Sequence, residues 1–329
     1  MKKILCLMFC FLLLPLPAFA ERIPVMVSIG LASGTVKVNG RSVKAAGIGK
    51  QAPWGIHEAC VIYENPLWES GETRLAALFD GNVSVETGPV RSARVSHFLQ
   101  REEGNAILFL AGDGAKLWQL PEMQKLSRTN RIFNHHRYLW ARECTRRVSG
   151  IRAPNNLSVS LPAVQEIVKD EPSDHRSILQ GHQNRLSVSS HPASFLELNW
   201  GKAEYLTRLV WDESEGHYLC FRDGAPFLSY STPERIKGSG IQLRFENVIV
   251  QYTDYRWETP MMPVMQCRGS GKAMYYIQGR QMEGSWTKTD AHSPTVYLDA
   301  EGREMTFLPG KTYIAQFPAS LAAGGISVD

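Results

Sequence analysis

The sequence predicts an α+β protein, with an N-terminal mixed α/β sheet domain followed by a C-terminal antiparallel β-rich domain. Three observations carry this expectation. Strand-like and helix-like segments alternate up to about residue 170. A polar stretch rich in Ser, His and Pro, residues 170–194, then breaks the pattern. Beyond it the chain is built of short aromatic and β-branched runs separated by turns, the texture of antiparallel sheet.

Taken in order, residues 1–20 read as a signal peptide. Lys2 and Lys3 precede an unbroken apolar run from Ile4 to Leu14, and Ala18-Phe19-Ala20 has the small-x-small form of a leader-peptidase site. Cleavage after Ala20 predicts a periplasmic or secreted product. The run falls short of the ~20 apolar residues that span a bilayer, and no later segment approaches that length. Cys10 follows bulky Phe9, which does not suit lipidation. The remaining 309 residues exceed the usual single core, so the chain is divided into 21–194 and 195–329.

In the first part, "IPVMVSIG", "ACVIYE" and "TRLAALFD" read as strands and "NAILFLAG" as a buried strand. Between them, "TGPVRSARVSHFL" carries a Gly-Pro turn and then Val95, Phe98 and Leu99 at i, i+3, i+4. That spacing predicts a helix from about Val90, with Arg91 and Arg94 in its first turn. "GAKLWQLPEMQKL" reads as a helix, and "LPAVQEIVKD" as a last one with Pro162 in its first turn. In the second part "FLELNW", "LTRLVWD", "GHYLCF", "ENVIVQYTDY", "AMYYIQG", "MEGSWTK", "TVYLD", "EMTFL" and "KTYIAQF" read as strands, and "YLDAEGREMTF" as a hairpin.

Charge narrows the partners. The 36 basic and 32 acidic residues give +4, which falls to +2 once the two leader lysines are removed, and no basic block exceeds Arg146-Arg147. This balance argues against nucleic acid. Four cysteines follow the leader: Cys60, Cys144, Cys220 and Cys267. In an oxidising compartment an even number suggests disulfides, with Cys60–Cys144 and Cys220–Cys267 preferred because each stays within one half; buried free thiols are the alternative. No Cys/His spacing suits a metal, and no cofactor motif is present. In "RGSGKAM" the glycine that a phosphate loop needs is Gln266, and no Ser or Thr follows Lys272, so the segment reads as a turn.

The segments "IHEACVIYE", "GETRLAALF", "GPVRSAR", "RAPNNLSVS", "NVIVQY", "GSGKAMYYIQGRQMEGSWTK" and "LDAEGREMTFLPGKTYI" resemble, in order, the YerB-like bacterial envelope proteins. This is a two-part family of unknown function, many of whose members read as lipoproteins. The resemblance implies an exported envelope protein with a mixed first domain and a β-rich second one, and it carries no reaction. Two departures stand out: Leu110 in "FLAGDGA" and Asn155 in "APNNLS" occupy positions where family members tend to carry histidine. Arg91, Arg94, Glu64 and Arg74 are kept, which favours binding over catalysis.

At 100° per residue, Arg91 and Arg94 sit about 60° apart at the margin of the apolar stripe, pointing inward or along a cleft. A buried guanidinium needs a partner. One reading is an internal cluster in which Glu64 or Glu72 neutralises Arg91; the other keeps an arginine for a ligand carboxylate or phosphate. Ser92 lacks a placeable base, so it reads as a hydrogen bonder rather than a nucleophile. His135-His136 diverge and read as packing. Asp113 sits in a turn at a strand end, where it serves as helix cap or ligand contact. Trp257, Tyr275, Tyr276 and Trp286 form either a sugar platform or core.

The expected function is non-catalytic binding of an anionic small molecule or cell-wall glycan, with Arg91, Arg94, Arg74, Ser92, Glu64, Asp113 and Asn155 as candidate contacts. The alternatives are a wall hydrolase using carboxylates such as Glu64 or Asp113, and a scaffold that binds another envelope protein.

Overall fold

In a computed structural model, the described residues are 22–328, apart from 114–115, 127–128, 173, 175–178, 180–189, 235–239 and 267. The leader and Cys267 therefore lie outside them.

One eleven-stranded mixed sheet organises the chain. Its strands are β1 (Val25–Ile29), β2 (Val61–Pro66), β3 (Thr73–Phe79), β4 (Ile107–Leu110), β5 (Ile132–Asn134), β6 (Ser190–Pro192), β7 (Asn247–Thr253), β8 (Gly269–Ile277), β9 (Arg280–Lys288), β10 (Val296–Asp299) and β11 (Thr312–Pro318). They lie in the order β6-β9-β8-β7-β11-β2-β3-β1-β4-β5, with β10 also on β9. Strands from before and after residue 194 thus share one sheet, joined where β11 runs parallel to β2, from Thr312 opposite Val61 to Ala315 opposite Glu64.

The central strands are continuous apolar runs because both faces of the sheet are covered. Side chains alternate along each strand. Val25, Val27, Ile62, Leu75, Ala77, Ile107 and Phe109 enter one core with Tyr313 and Phe317. Met26, Val61, Tyr63, Ala76, Leu78, Leu108 and Leu110 enter the other. The first face is covered by a six-stranded antiparallel sheet built on Phe195–Asn199, Leu206–Asp212 and His217–Arg222, which contributes Leu196, Leu198, Leu209 and Tyr218. The second face carries helix α1 (Val95–Gly104), whose ten residues are all buried, and the hairpin of Tyr255–Thr259 with Met262–Met265. The protein is thus a β-rich α+β fold with a mixed sheet.

Three local expectations are corrected. The helix begins at Val95, not near Val90, because residues 90–93 place their backbone bonds elsewhere: Val90 N–H on Leu157 O, Arg91 N–H on Ser28 O and Ala93 N–H on Gly112 O. Arg94 is its N-cap residue. "GAKLWQLPEMQKL" is a short 3-10 turn, Leu117–Gln119, and a four-residue helix that Pro121 starts, since a proline lacks the N–H that a continuous helix needs. Within the second part, β7 and β11 pair in parallel, an exception to the antiparallel pattern. The helix read at "LPAVQEIVKD" (α2, Leu161–Ile167) and the turn after β10 are present, with Ser160 capping α2 through a bond from Ala163 N–H, and a further four-residue helix, Ala322–Gly325, lies near the end of the chain.

The expected Cys60–Cys144 bridge is absent. Both are free thiols, as is Cys220. Cys60 packs with the helix-side core and bonds to Leu78 O, whereas Cys144 is in the opposite core and bonds to Trp140 O. Burial pushes the Cys60 thiol up to about 11 and those of Cys144 and Cys220 up to about 12. Burial thus disfavours the thiolate form at all three.

Candidate functional site

Residues 88–93 form a strap across the carboxyl ends of β1, β4 and β5, which run parallel to one another. At its start Gly88 and Trp54 exchange backbone bonds. Ala111 N–H then bonds to Arg91 O, tying the strap to the end of β4. Gly30, just past β1, leaves room for the arginine: a Cβ there would fall 2.2 Å from Arg91 Cγ. Gly112, at φ +94, turns the chain after β4 against Ser92.

The strap, the turn after β4 and the segment after β5 enclose a cleft of about 310 Å³, lined by Arg91, Ser92, Gly112, His136, Arg147 and Pro154 among others. In α/β sheets such carboxyl-end crevices are where ligands bind. Arg91 is half-buried, and one guanidinium nitrogen donates to Asn155 Oδ1. Among the described residues, no carboxylate pairs with it. Ser92 Oγ donates to Ala111 O at 3.0 Å. Beneath the cleft, Asn134 Oδ1 holds the N–H groups of Gly112 (3.2 Å) and His136 (3.0 Å), while its buried Nδ2 has no partner among the described residues.

The electrostatics are one-sided. Arg74 is buried, donates to Ser92 O and leaves Nε without a partner among the described residues. Arg94 donates to Met261 O at 2.8 Å and to Ala93 O at 3.0 Å. Burial, reinforced by Arg94 and then Arg91, pushes the Arg74 guanidinium well below its usual value; burial and Arg91 bring Arg94 down to about 10. Burial also lowers Arg91. His135, its ring packed on His136 at 5.4 Å, is lowered by burial and then by His136, Arg147 and Arg142. Three mutually repelling arginines supported only by neutral acceptors are costly without an anion. Arg74→Met should accordingly raise the unfolding free energy of the ligand-free protein by about 1–3 kcal/mol, read by urea denaturation; a loss of stability would show that Arg74 is structural.

The acids expected to neutralise the arginines are occupied elsewhere. Glu64 lies under the six-stranded sheet, ion-paired with Arg222 at 2.7 Å, and accepts from Thr207 Oγ1 at 3.0 Å, Thr73 Oγ1 and the Tyr313 hydroxyl. Glu72 pairs with Lys202 at 2.9 Å. Asp113 accepts from Trp118 Nε1 and from Arg137 at 3.1 Å. The structure therefore joins Arg91, Ser92 and Asn155, sets Arg74 behind them and Arg94 to one side, and separates Glu64 and Asp113.

Sequence reasoning missed His136 and Arg147 as lining groups. Arg147 ends a short strand, Thr145–Arg147, paired with Leu157–Ser160, and only that pairing carries it to the cleft. Of the aromatic set, Tyr275, Tyr276 and Trp286 are core, at 0–1 % exposure, and Trp257 alone is half-buried. "GSGKAM" is strand β8, with Lys272 paired to exposed Glu283 at 2.8 Å.

Comparison with known proteins places this architecture. Residues 45–174 match the N-terminal domain, and 196–314 the C-terminal domain, of a protein of unknown function, DUF3048. The chain belongs to the DUF3048 family. This DUF3048 protein is also similar to the crystal structure of YerB from Bacillus subtilis, with a TM-score of 0.68 and 18% identity over 94% of each chain, a likeness of fold. No curated protein matches it.

Proposed function

We propose that this DUF3048 protein acts in the cell envelope by binding a small anionic ligand, a phosphate- or carboxylate-bearing compound such as a cell-wall glycan fragment, without transforming it. The observation that carries this reading is Arg91: a partly accessible guanidinium in a strand-end cleft, beside Arg147 and His136, with a neutral amide in place of a carboxylate partner. Arg91's planar fork suits a bidentate anion, and Arg147 adds a second charge at the same mouth. The hydrolase reading loses support, because Glu64 is sealed in the core and Asp113 is tied to Trp118 and Arg137.

The test is a thermal-shift and calorimetric screen against phosphorylated sugars and purified wall fragments. A charge-assisted bond contributes about 1.5–3 kcal/mol, so each arginine removed should weaken binding roughly 10- to 100-fold. Ligand-dependent stabilisation should vanish in Arg91→Gln/Arg147→Gln while the fold survives. Equal stabilisation of both proteins would overturn the site.

A further inference from the structure

Among the described residues five large apolar side chains are exposed, and three of them lie on two neighbouring helices, Leu139 (67 %) and Trp140 (41 %) on Leu139–Glu143 and Ile167 (41 %) on α2. Trp140 lies flat on Tyr138, ring centres 4.4 Å apart with the planes 14° off parallel. These two rings, with Ile167 of α2 and Phe133 of β5, line a groove of about 400 Å³. An exposed apolar patch of this kind marks a contact surface.

The groove and the anion cleft both border β5. β5 is the edge strand of the sheet; the groove runs beside its Phe133, and the cleft opens past its end at His136. Three strand residues span only about 10 Å. Arg142 reaches back from the Trp140 turn to His135 O (3.0 Å) and His136 O (3.2 Å), fixing the patch against the cleft. The charges differ between the two. Arg91, Arg147 and His136 line the cleft, whereas the groove carries Glu171 and a buried Arg131 that is paired with Asp174 at 2.9 Å. Nearby Asp113 and Glu166 are taken by Arg137 and Lys169; Glu143 and Asp170 are exposed. This sheet edge therefore carries an anion-seeking cleft and an apolar groove a short span apart.

Resting on the anion-binding reading above, we propose that the anion is the headgroup phosphate of a lipid, whose apolar chain lies along Tyr138, Trp140 and Ile167, so that this sheet edge docks on a lipid surface. Tryptophan and tyrosine beside cations are the side chains that settle at a water–lipid boundary. The protein is assayed as residues 21–329, the product expected after cleavage of the leader read from the sequence. Vesicles of phosphatidylcholine with phosphatidylglycerol should sediment it, and pure phosphatidylcholine vesicles should not. Leu139→Ser/Trp140→Ser and Arg91→Gln/Arg147→Gln should each weaken vesicle binding at least tenfold. A soluble probe, glycerol 3-phosphate, should raise the melting temperature of the wild type and of the Leu139/Trp140 variant equally. Failure of both vesicles and glycerol 3-phosphate would overturn the lipid assignment, and the anion reading would then stand or fall on the screen of phosphorylated sugars and wall fragments. Binding of glycerol 3-phosphate without vesicles, or vesicle binding unchanged in the Leu139/Trp140 variant, would overturn the lipid assignment and leave anion binding standing. Equal binding to both vesicle types would show apolar insertion without the cleft, and would also overturn it.

Discussion

Glu64→Ala should lower the unfolding free energy by about 3–5 kcal/mol, the range seen when one partner of a buried ion pair is removed. Glu64 and Arg222 are both at 0 % exposure, between the large sheet and the six-stranded sheet. The carboxylate receives four donors, from Arg222, Thr73, Thr207 and Tyr313. Arg222 is less well served: its Nε and one terminal nitrogen have no partner among the described residues, and its guanidinium otherwise sits over Phe227 at 4.8 Å. Burial is the largest influence and opposes its charge, but Glu64 together with Tyr313 and Cys220 more than offsets it and holds its pKa above the usual value. Without Glu64 a bare guanidinium is left in the core. The double variant Glu64→Leu/Arg222→Met should recover most of the loss, because two apolar groups leave nothing unpaired. Urea denaturation with linear extrapolation measures both; a single-variant loss below about 1 kcal/mol would show that water reaches the pair.

The second large effect is on acid stability. His97, in the first turn of α1, is fully buried, with Nε2 facing Leu75 O at 3.3 Å and Nδ1 accepting from Arg94 N–H at 3.3 Å. Both contacts suit the neutral ring. Burial, then Arg74 and Arg94, push its pKa from 6.5 down to about 3. The sign follows directly. The unfolded chain takes up a proton near pH 6.5 and the folded protein withholds it until about pH 3, so His97's contribution is fully present above 6.5 and is lost as the pH falls through that window. The slope approaches about 1.4 kcal/mol per pH unit, and the total over that window reaches roughly 5 kcal/mol. His97→Gln should flatten the fall in stability between pH 6 and 3 relative to the wild type, whatever its effect at pH 7. Identical slopes in the two proteins would mean that His97 is charged in the folded state. The coupling bears on the cleft as well, since the arginines that disfavour a charged His97 are those that repel one another around Ser92.

Much of the fold was legible because its signals are local. "VMVSI", "VIYENP" and "TRLAALF" are uninterrupted buried strands, and covering both faces of a sheet demands that composition. The start of α1 was not legible, for a definite reason. Val95, Phe98 and Leu99 show the same apolar period whether the helix starts at 90 or at 95. What stops it from starting earlier is the bonding of residues 90–93 to Ser28, Gly112 and Leu157, none of which is near in sequence. The site divides in the same way. Arg91 was recognisable as an arginine held at the margin of a core, whereas Arg147 and His136 reach the cleft only through strand pairing and the end of β5.

By itself, then, the sequence determined the β-rich α+β class, most of the strands and the presence of cations against an apolar face, because periodicity and turn chemistry act over a few residues. Only the tertiary structure decided which charges meet. Glu64 was expected beside Arg91, yet it pairs with Arg222, 158 positions along the chain. The pairing depends on one sheet covering another, and sheet-on-sheet packing leaves no mark in any short stretch of residues. With Glu64 and Glu72 drawn away, Arg91 is left to Asn155 and to the cleft.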